Sequence, residues 1–154
     1  MTKAEIRLGY EVLPAMRAIF QEYTDSLQVD LGFQQYDEEL RHLEKKYGMP
    51  QGRLYAAYAG NMLAGCLAFH ALDAKRCELK RLYVRPAFRG QGLSRQLMER
   101  AFADARQLGY EEAYLDTLAS LKSAVALYTR LGFEEIPAYY ANPLPGVRYY
   151  KRVL

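Results

Sequence analysis

The sequence predicts an α/β fold, a mixed α+β sheet built in the order β-α-α-β-β-β-α-β-α-β-β. Three observations carry this. Apolar residues recur at helical spacing in two early and two late segments, a long uncharged run looks like paired core strands, and a glycine-rich junction joins a strand to the strongest helix.

Residues 6–8 make a first short strand. Val12, Met16, Ile19, Phe20, Tyr23 and Leu27 then fall on one helical face, with Pro14 tolerated in the first turn. A second helix starts near Asp37, turns Leu40, Leu43 and Tyr47 inward and ends before Gly48. Residues 54–72 contain no charge and approach the length of a membrane span. The run is rich in Ala, however, holds Asn61, His70 and two tyrosines, and is interrupted by Gly60-Asn61. Two core strands joined by a turn at Ala59-Gly60-Asn61 explain it better, so membrane insertion is excluded.

Residues 77–84 read as a third long strand, stopped by Pro86. Leu93, Leu97, Met98, Ala101, Phe102, Ala105 and Leu108 form one apolar helical face that Gly109 closes. Residues 113–117 make a short strand. Ser120 is positioned to cap a helix through Ala124, Leu127 and Leu131, with Gly132 as its terminator. Residues 133–136 and 147–153 finish as strands around a proline-rich turn.

The 154 residues suit one domain with a core of its own. Twenty-one Lys and Arg against eighteen Asp and Glu leave a net charge of +3, which announces neither nucleic acid binding nor disorder. Cys66 and Cys77 are too few for a disulfide framework, lack metal-site spacing and read as core thiols. His42 and His70 show no partner spacing and read as structural, so no metal is expected. The first residues contain no apolar segment of a secretory signal and no lipidation box closes the chain; the expected location is cytoplasmic. Fourteen Tyr and no Trp is the oddest entry in the composition.

The chemistry concentrates at Arg89-Gly90-Gln91-Gly92-Leu93-Ser94. Two glycines permit a tight turn and close approach of a ligand, and the helix behind them offers unpaired N–H groups to a phosphate. Arg89 would add a charge-assisted contact or fix the loop. A P-loop needs Gly-Lys-Ser/Thr, which is absent. A dinucleotide loop needs a third glycine where Arg95 stands. A plain glycine turn before a helix is the remaining alternative for two glycines taken alone.

In context, the chain resembles the GNAT superfamily of acetyl-CoA-dependent N-acetyltransferases. Arg89 and Gly92 match that family's Arg/Gln-x-x-Gly-x-Gly/Ala pyrophosphate signature, and Ser94 stands for the final small residue. Leu82-Tyr83-Val84-Arg85-Pro86 resembles its central strand, whose backbone pairs with the pantetheine arm. Ala124-x-x-Leu127-Tyr128-x-x-Leu131-Gly132-Phe133 is close to its second signature. The resemblance implies one acetyltransferase-like domain over 1–154. Residues 1–76 form an N-terminal half with the acceptor-side helices, 77–136 a CoA-binding core and 137–154 the C-terminal strands. It further implies cofactor contacts from Leu82, Tyr83, Val84, Arg89, Gly90, Gln91, Gly92, Leu93 and Ser94.

The implied reaction is direct attack of a primary amine, from a small molecule or a peptide, on the acetyl thioester. Tyr128 matches the tyrosine whose hydroxyl reaches the departing sulfur; packing in a helix is its alternative reading. Glu78 matches a glutamate that some members use as base, often through water. By strand parity it shares a face with Leu82 and Val84; a solvated charge, or a partner of Lys80 or Arg81, explains it equally. An asparagine common seven residues before the tyrosine is Leu121 here. Lys122 and Ser123 are alternative CoA contacts, with surface solvation as the competing account. Asp116 either orients the amine or makes a structural hydrogen bond.

The family chooses its acceptor with its first two helices and last strands. Those regions hold Tyr23, Phe33, Tyr36, Tyr139 and Tyr140 near Asp25, Asp30, Asp37, Glu38 and Glu39, a rim suited to a cationic amine. Solvated helix faces and packing aromatics account for the same letters. Two rival functions remain: a catalytically silent CoA-binding regulatory module, against which the retained Tyr128 weighs, and a nucleotide-binding protein. A homodimer is the family-level expectation, with no interface legible in the sequence.

Overall fold

A computed structural model of the chain describes residues 4–28 and 35–154. Seven strands form one sheet in the order β1-β2-β3-β4-β5-β7-β6. They are β1 (Ala4–Leu8), β2 (Arg53–Ala59), β3 (Met62–Ala71), β4 (Arg76–Val84), β5 (Glu112–Leu118), β6 (Glu134–Ile136) and β7 (Val147–Val153). Every neighbouring pair is antiparallel except β4 and β5, which are parallel. The helices are α1 (Leu13–Leu27), α2 (Tyr36–Arg41), α3 (Leu43–Lys46), α4 (Leu93–Gln107) and α5 (Lys122–Arg130). The expected second helix is thus two short ones, broken where His42 leaves helical geometry (φ −134°, ψ 55°).

The uncharged run forms the interior strands β2 and β3, turned at Gly60 with φ 65°. Its alternating side chains feed two cores. On one face Leu54, Ala56, Cys66 and Ala68 meet Met16, Ile19 and Phe20 of α1. On the other, Tyr55, Ala57, Leu67 and Phe69 meet Leu97, Met98, Ala101 and Phe102 of α4. Each large apolar side chain so buried contributes about 1.5–3 kcal/mol. Among the described residues, no helix is long and apolar enough to cross a membrane.

The two long glycine-closed helices of the second half end alike. At α4 the Gly109 N–H donates to Arg106 O and Tyr110 N–H to Ala105 O; at α5 Gly132 N–H donates to Thr129 O and Phe133 N–H to Tyr128 O. This paired motif needs a left-handed residue, supplied by Gly109 (φ 91°) and Gly132 (φ 87°). The start of α5 departs from expectation. Leu121 rather than Ser120 precedes the first turn, and no side chain caps it.

Candidate active site

Two features of β4 create an opening in the middle of the sheet. Only Arg76, Cys77 and Glu78 pair with β5; from Leu79 onward β4 is laddered to β3 alone, and from Leu115 onward β5 to β7 alone. A bulge also interrupts the register between β3 and β4, where Arg81 takes a left-handed φ of 66°. The extra residue reverses the side-chain alternation. Cys77 and Leu79 face the α4 core, as do Leu82 and Val84 beyond the bulge. Glu78 and Tyr83 therefore face the α1 side, and the parity argument that set Glu78 beside Leu82 and Val84 fails at this bulge.

A cavity fills the parting of β4 and β5, lined by Leu82, Met98, Leu115, Asp116, Lys80 and Tyr128 among others. Tyr128 is 7% exposed, and its hydroxyl makes no hydrogen bond among the described residues. Burial pushes this phenol above its ordinary value, which keeps its proton on at neutral pH. Its position is fixed twice. Phe133 N–H holds its carbonyl at 3.0 Å, and the Phe133 ring packs edge-on at 5.8 Å.

The glycine loop follows β4 directly. Gly90 and Gly92 both take positive φ, 80° and 78°, and Gly92 is the residue preceding α4. A Cβ at either position would meet nothing within 4 Å, so conformation rather than space requires glycine here. With glycine before it, α4 has no side-chain cap, and its first N–H groups point into the loop. Arg89 fixes the loop: its Nε donates to Val84 O at 2.9 Å. Gln91 is exposed, Ser94 half-buried and Leu93 in the core. Tyr83 turns its hydroxyl away to Glu22 at 2.9 Å, leaving only its backbone on the cleft strand.

Behind the cavity lies a buried polar cluster drawn from five elements and one loop. Glu78 accepts hydrogen bonds from His70 Nε2 (2.8 Å) and the Tyr139 hydroxyl (2.5 Å), with Lys80 Nζ 3.5 Å away. Burial opposes its ionisation, but His70, the charge of Lys80 and Tyr139 prevail and hold the carboxyl down at about 2. His70 Nδ1 also faces Ala71 O at 3.1 Å. Asp116 accepts from the Tyr140 hydroxyl and from Asn142 Nδ2 (3.0 Å). Arg81 makes a two-pronged pair with Glu39 at 3.0 and 3.0 Å, over the Tyr36 ring, and Lys46 Nζ adds a third contact at 3.0 Å. Burial raises the Glu39 carboxyl, but the charge and hydrogen bonds of Arg81 outweigh it and the net shift is downward.

A family model for the acetyltransferase (GNAT) family matches residues 14–133 of this sequence. The chain belongs to the GNAT family. Among curated GNAT-type relatives, an uncharacterized N-acetyltransferase of Schizosaccharomyces pombe is 40% identical over 139 residues, covering 89% of this chain and 85% of the relative. One from Escherichia coli is 37% identical over 136 residues, covering 84% and 81%. The fold matches a Streptococcus agalactiae acetyltransferase at TM-score 0.81 and 24% identity, with 98% of each chain covered. It also matches a GNAT acetyltransferase of Elizabethkingia anophelis, solved with acetyl-CoA bound, at TM-score 0.65 and 19% identity, again covering 98% of each.

Within this GNAT chain, Leu82 and Tyr128 line one cavity, and the glycine loop joins β4 to α4, two elements that contribute to its lining. Glu78 stands on the far side of β4 with His70, a residue that sequence spacing had set aside as structural. Of the partners that the sequence offered for Glu78, Lys80 stands 3.5 Å from it, whereas Arg81 pairs with Glu39 of the expected acidic rim, 42 positions away; Asn142 was not legible as a site residue. Of the acceptor-side residues, Tyr23 lines the cleft, Tyr139 and Tyr140 bind the two carboxylates, and Asp25, Asp37 and Glu38 are solvated. Lys122 and Ser123 are exposed. Asp30 and Phe33 lie outside the described residues.

Proposed function

We propose that this protein is an acetyl-CoA-dependent N-acetyltransferase that acts on a primary amine of a small molecule or peptide by direct attack. The observation that carries this reading is the buried Tyr128 hydroxyl, which has no hydrogen-bond partner among the described residues and lines the cavity where β4 and β5 part. The parted edges of β4 and β5 and the open loop at Gly90 and Gly92 fit a pantetheine arm and its pyrophosphate.

Bound acetyl-CoA supplies the thioester carbonyl. The neutral amine nitrogen bonds to that carbon, the C–S bond breaks with its electron pair going to sulfur, and the amine sheds its extra proton to solvent. Tyr128 donates its hydroxyl proton, or a hydrogen bond, to the departing sulfur, so that CoA leaves as the thiol. A buried phenol is a weak acid beside a thiol of pKa about 8.5, which favours hydrogen bonding with solvent completing the transfer. Glu78, held at about 2 by two donors and the charge of Lys80, is a weak base for direct abstraction; in this reading it acts through water and as a fixed negative charge.

The test follows thiol release from acetyl-CoA across a panel of amines, beside thermal shift with CoA, ATP and NAD. Stabilisation by CoA species and turnover of at least one amine are expected, with Tyr128→Phe lowering kcat about 100-fold. Binding of CoA without turnover of any amine would leave the silent regulatory module standing. Stabilisation by ATP or NAD alone would favour a nucleotide-binding protein.

A further inference from the structure

The cleft continues past Tyr128. A second cavity meets the first at Tyr23, Arg81 and Asp116, and its outer wall is built from Leu27, Leu118, Leu121, Leu144 and Val147. Resting on the acyltransferase reading above, we propose that the acceptor is a small monoamine with an uncharged, apolar body. Its ammonium would be received by Asp116 and give up one proton to solvent before the neutral nitrogen attacks.

Asp116 Oδ2 accepts from Tyr140 and Asn142, whereas Oδ1 has as its nearest donor Lys80 Nζ at 3.6 Å, beyond hydrogen-bond reach. Oδ1 therefore faces the Lys80 charge without a hydrogen bond and keeps the capacity to accept one at the junction of the two cavities. Tyr140 and Asn142 fix the carboxylate from the loop between β6 and β7, and Asn142 also ties that loop down by accepting from Leu144 N–H at 3.0 Å. A primary amine of pKa near about 10 arrives protonated at neutral pH, and an ammonium is the donor such an oxygen accepts best.

The walls decide what the amine is attached to. A substrate carboxylate would need a free cation, and the two that border the cleft are committed. Arg81 has its guanidinium fork on Glu39, and Lys80 lies between Glu78 and Asp116. A second ammonium would have to shed its water among leucines and a valine, with no carboxylate among the described residues of that outer wall. Leu121 belongs to this wall and adds a further apolar side chain to it.

The experiment compares three chains of equal length: pentylamine, δ-aminovalerate and cadaverine, each with saturating acetyl-CoA. Leucinamide and leucine repeat the comparison with the charge beside the amine. Pentylamine is expected to exceed both charged analogues in kcat/KM by at least about 10-fold, and leucinamide to exceed leucine similarly. Asp116→Asn should raise KM for every amine and lower kcat/KM by about 10- to 100-fold while leaving CoA affinity intact. Leu121→Asn should shrink the preference for pentylamine over cadaverine without that general loss. A preference for δ-aminovalerate, leucine or cadaverine would overturn the inference and leave the N-acetyltransferase reading in place. CoA binding with no amine turned over would overturn both.

Discussion

On the reading proposed above, the cleft has a cofactor side and an acceptor side, and the two are built by opposite means. The cofactor side is a contiguous stretch of main chain, where a glycine turn, the start of α4 and a strand edge offer backbone groups and the side chains mostly pack or stand aside. The acceptor side is assembled from single side chains on α2, β3, β4, β5 and the loop before β7, each held by a partner distant in sequence. Backbone sites tolerate side-chain change wherever the required φ is kept. Side-chain clusters fail when one member is lost, because the partner left behind is buried and charged.

The largest expected effect tests the second statement. Glu39→Ala removes the carboxylate that Arg81, whose side chain is 5% exposed, holds at two points. Urea denaturation should show a loss of about 3–5 kcal/mol, with much of it recovered in Glu39→Ala/Arg81→Met. A loss below about 1 kcal/mol would break the contrast between the two sides.

Next is Glu78→Gln. Because the folded-state carboxyl sits at about 2, below its ordinary 4.5, its contribution is fully present above about pH 4.5 and is lost as pH falls through about 2. Wild type should lose on the order of 3 kcal/mol across that window from this group, whereas the variant starts lower at neutral pH and loses less on the way down. Thermal melts at a series of acidic pH values read the difference directly.

On the cofactor side, Gly92→Ala places a side chain at φ 78°, where nothing within 4 Å obstructs it. The expected cost is about 1 kcal/mol of conformational strain in the melt. CoA should bind more weakly as the first turn of α4 shifts, which titration calorimetry measures. The smallest effect calibrates the scale. Arg95→Ala removes an exposed i,i+4 contact with Glu99 and should cost no more than about 0.5 kcal/mol.

This contrast also explains what could be read from the residues alone. The strand order, the interior pair β2–β3, the apolar face of α4 and the glycine loop are local signals, written within a few residues of one another. The Tyr128 helix was legible for the same reason, since Gly132 and Phe133 lie within five positions and hold its main chain and ring. Glu39 and Arg81 are 42 positions apart, and Tyr139 and Glu78 are 61 apart. No periodicity encodes such pairings. Glu78 was misplaced for a different reason. Strand parity assumes an unbroken ladder, and the bulge at Arg81 inserts one residue exactly where the alternation was being counted. Likewise, Ser120 has the chemistry of a cap, but the chain enters α5 one residue later.

The parting of β4 from β5 has a last consequence, for aggregation. Two half-paired strand edges inside a sheet are a template for a foreign polypeptide, a hazard that most sheets confine to their rims. Another strand would need its neighbours about 4.8 Å away on either side and room above and below for its own side chains. Here those two flanks are already taken, by Tyr23 and Lys80 on one face and by Met98 and Tyr128 on the other. The gap thus keeps the unpaired backbone edges of a missing strand while side chains already occupy the space above and below it, so the feature that opens the sheet also leaves little room for a second polypeptide to join it.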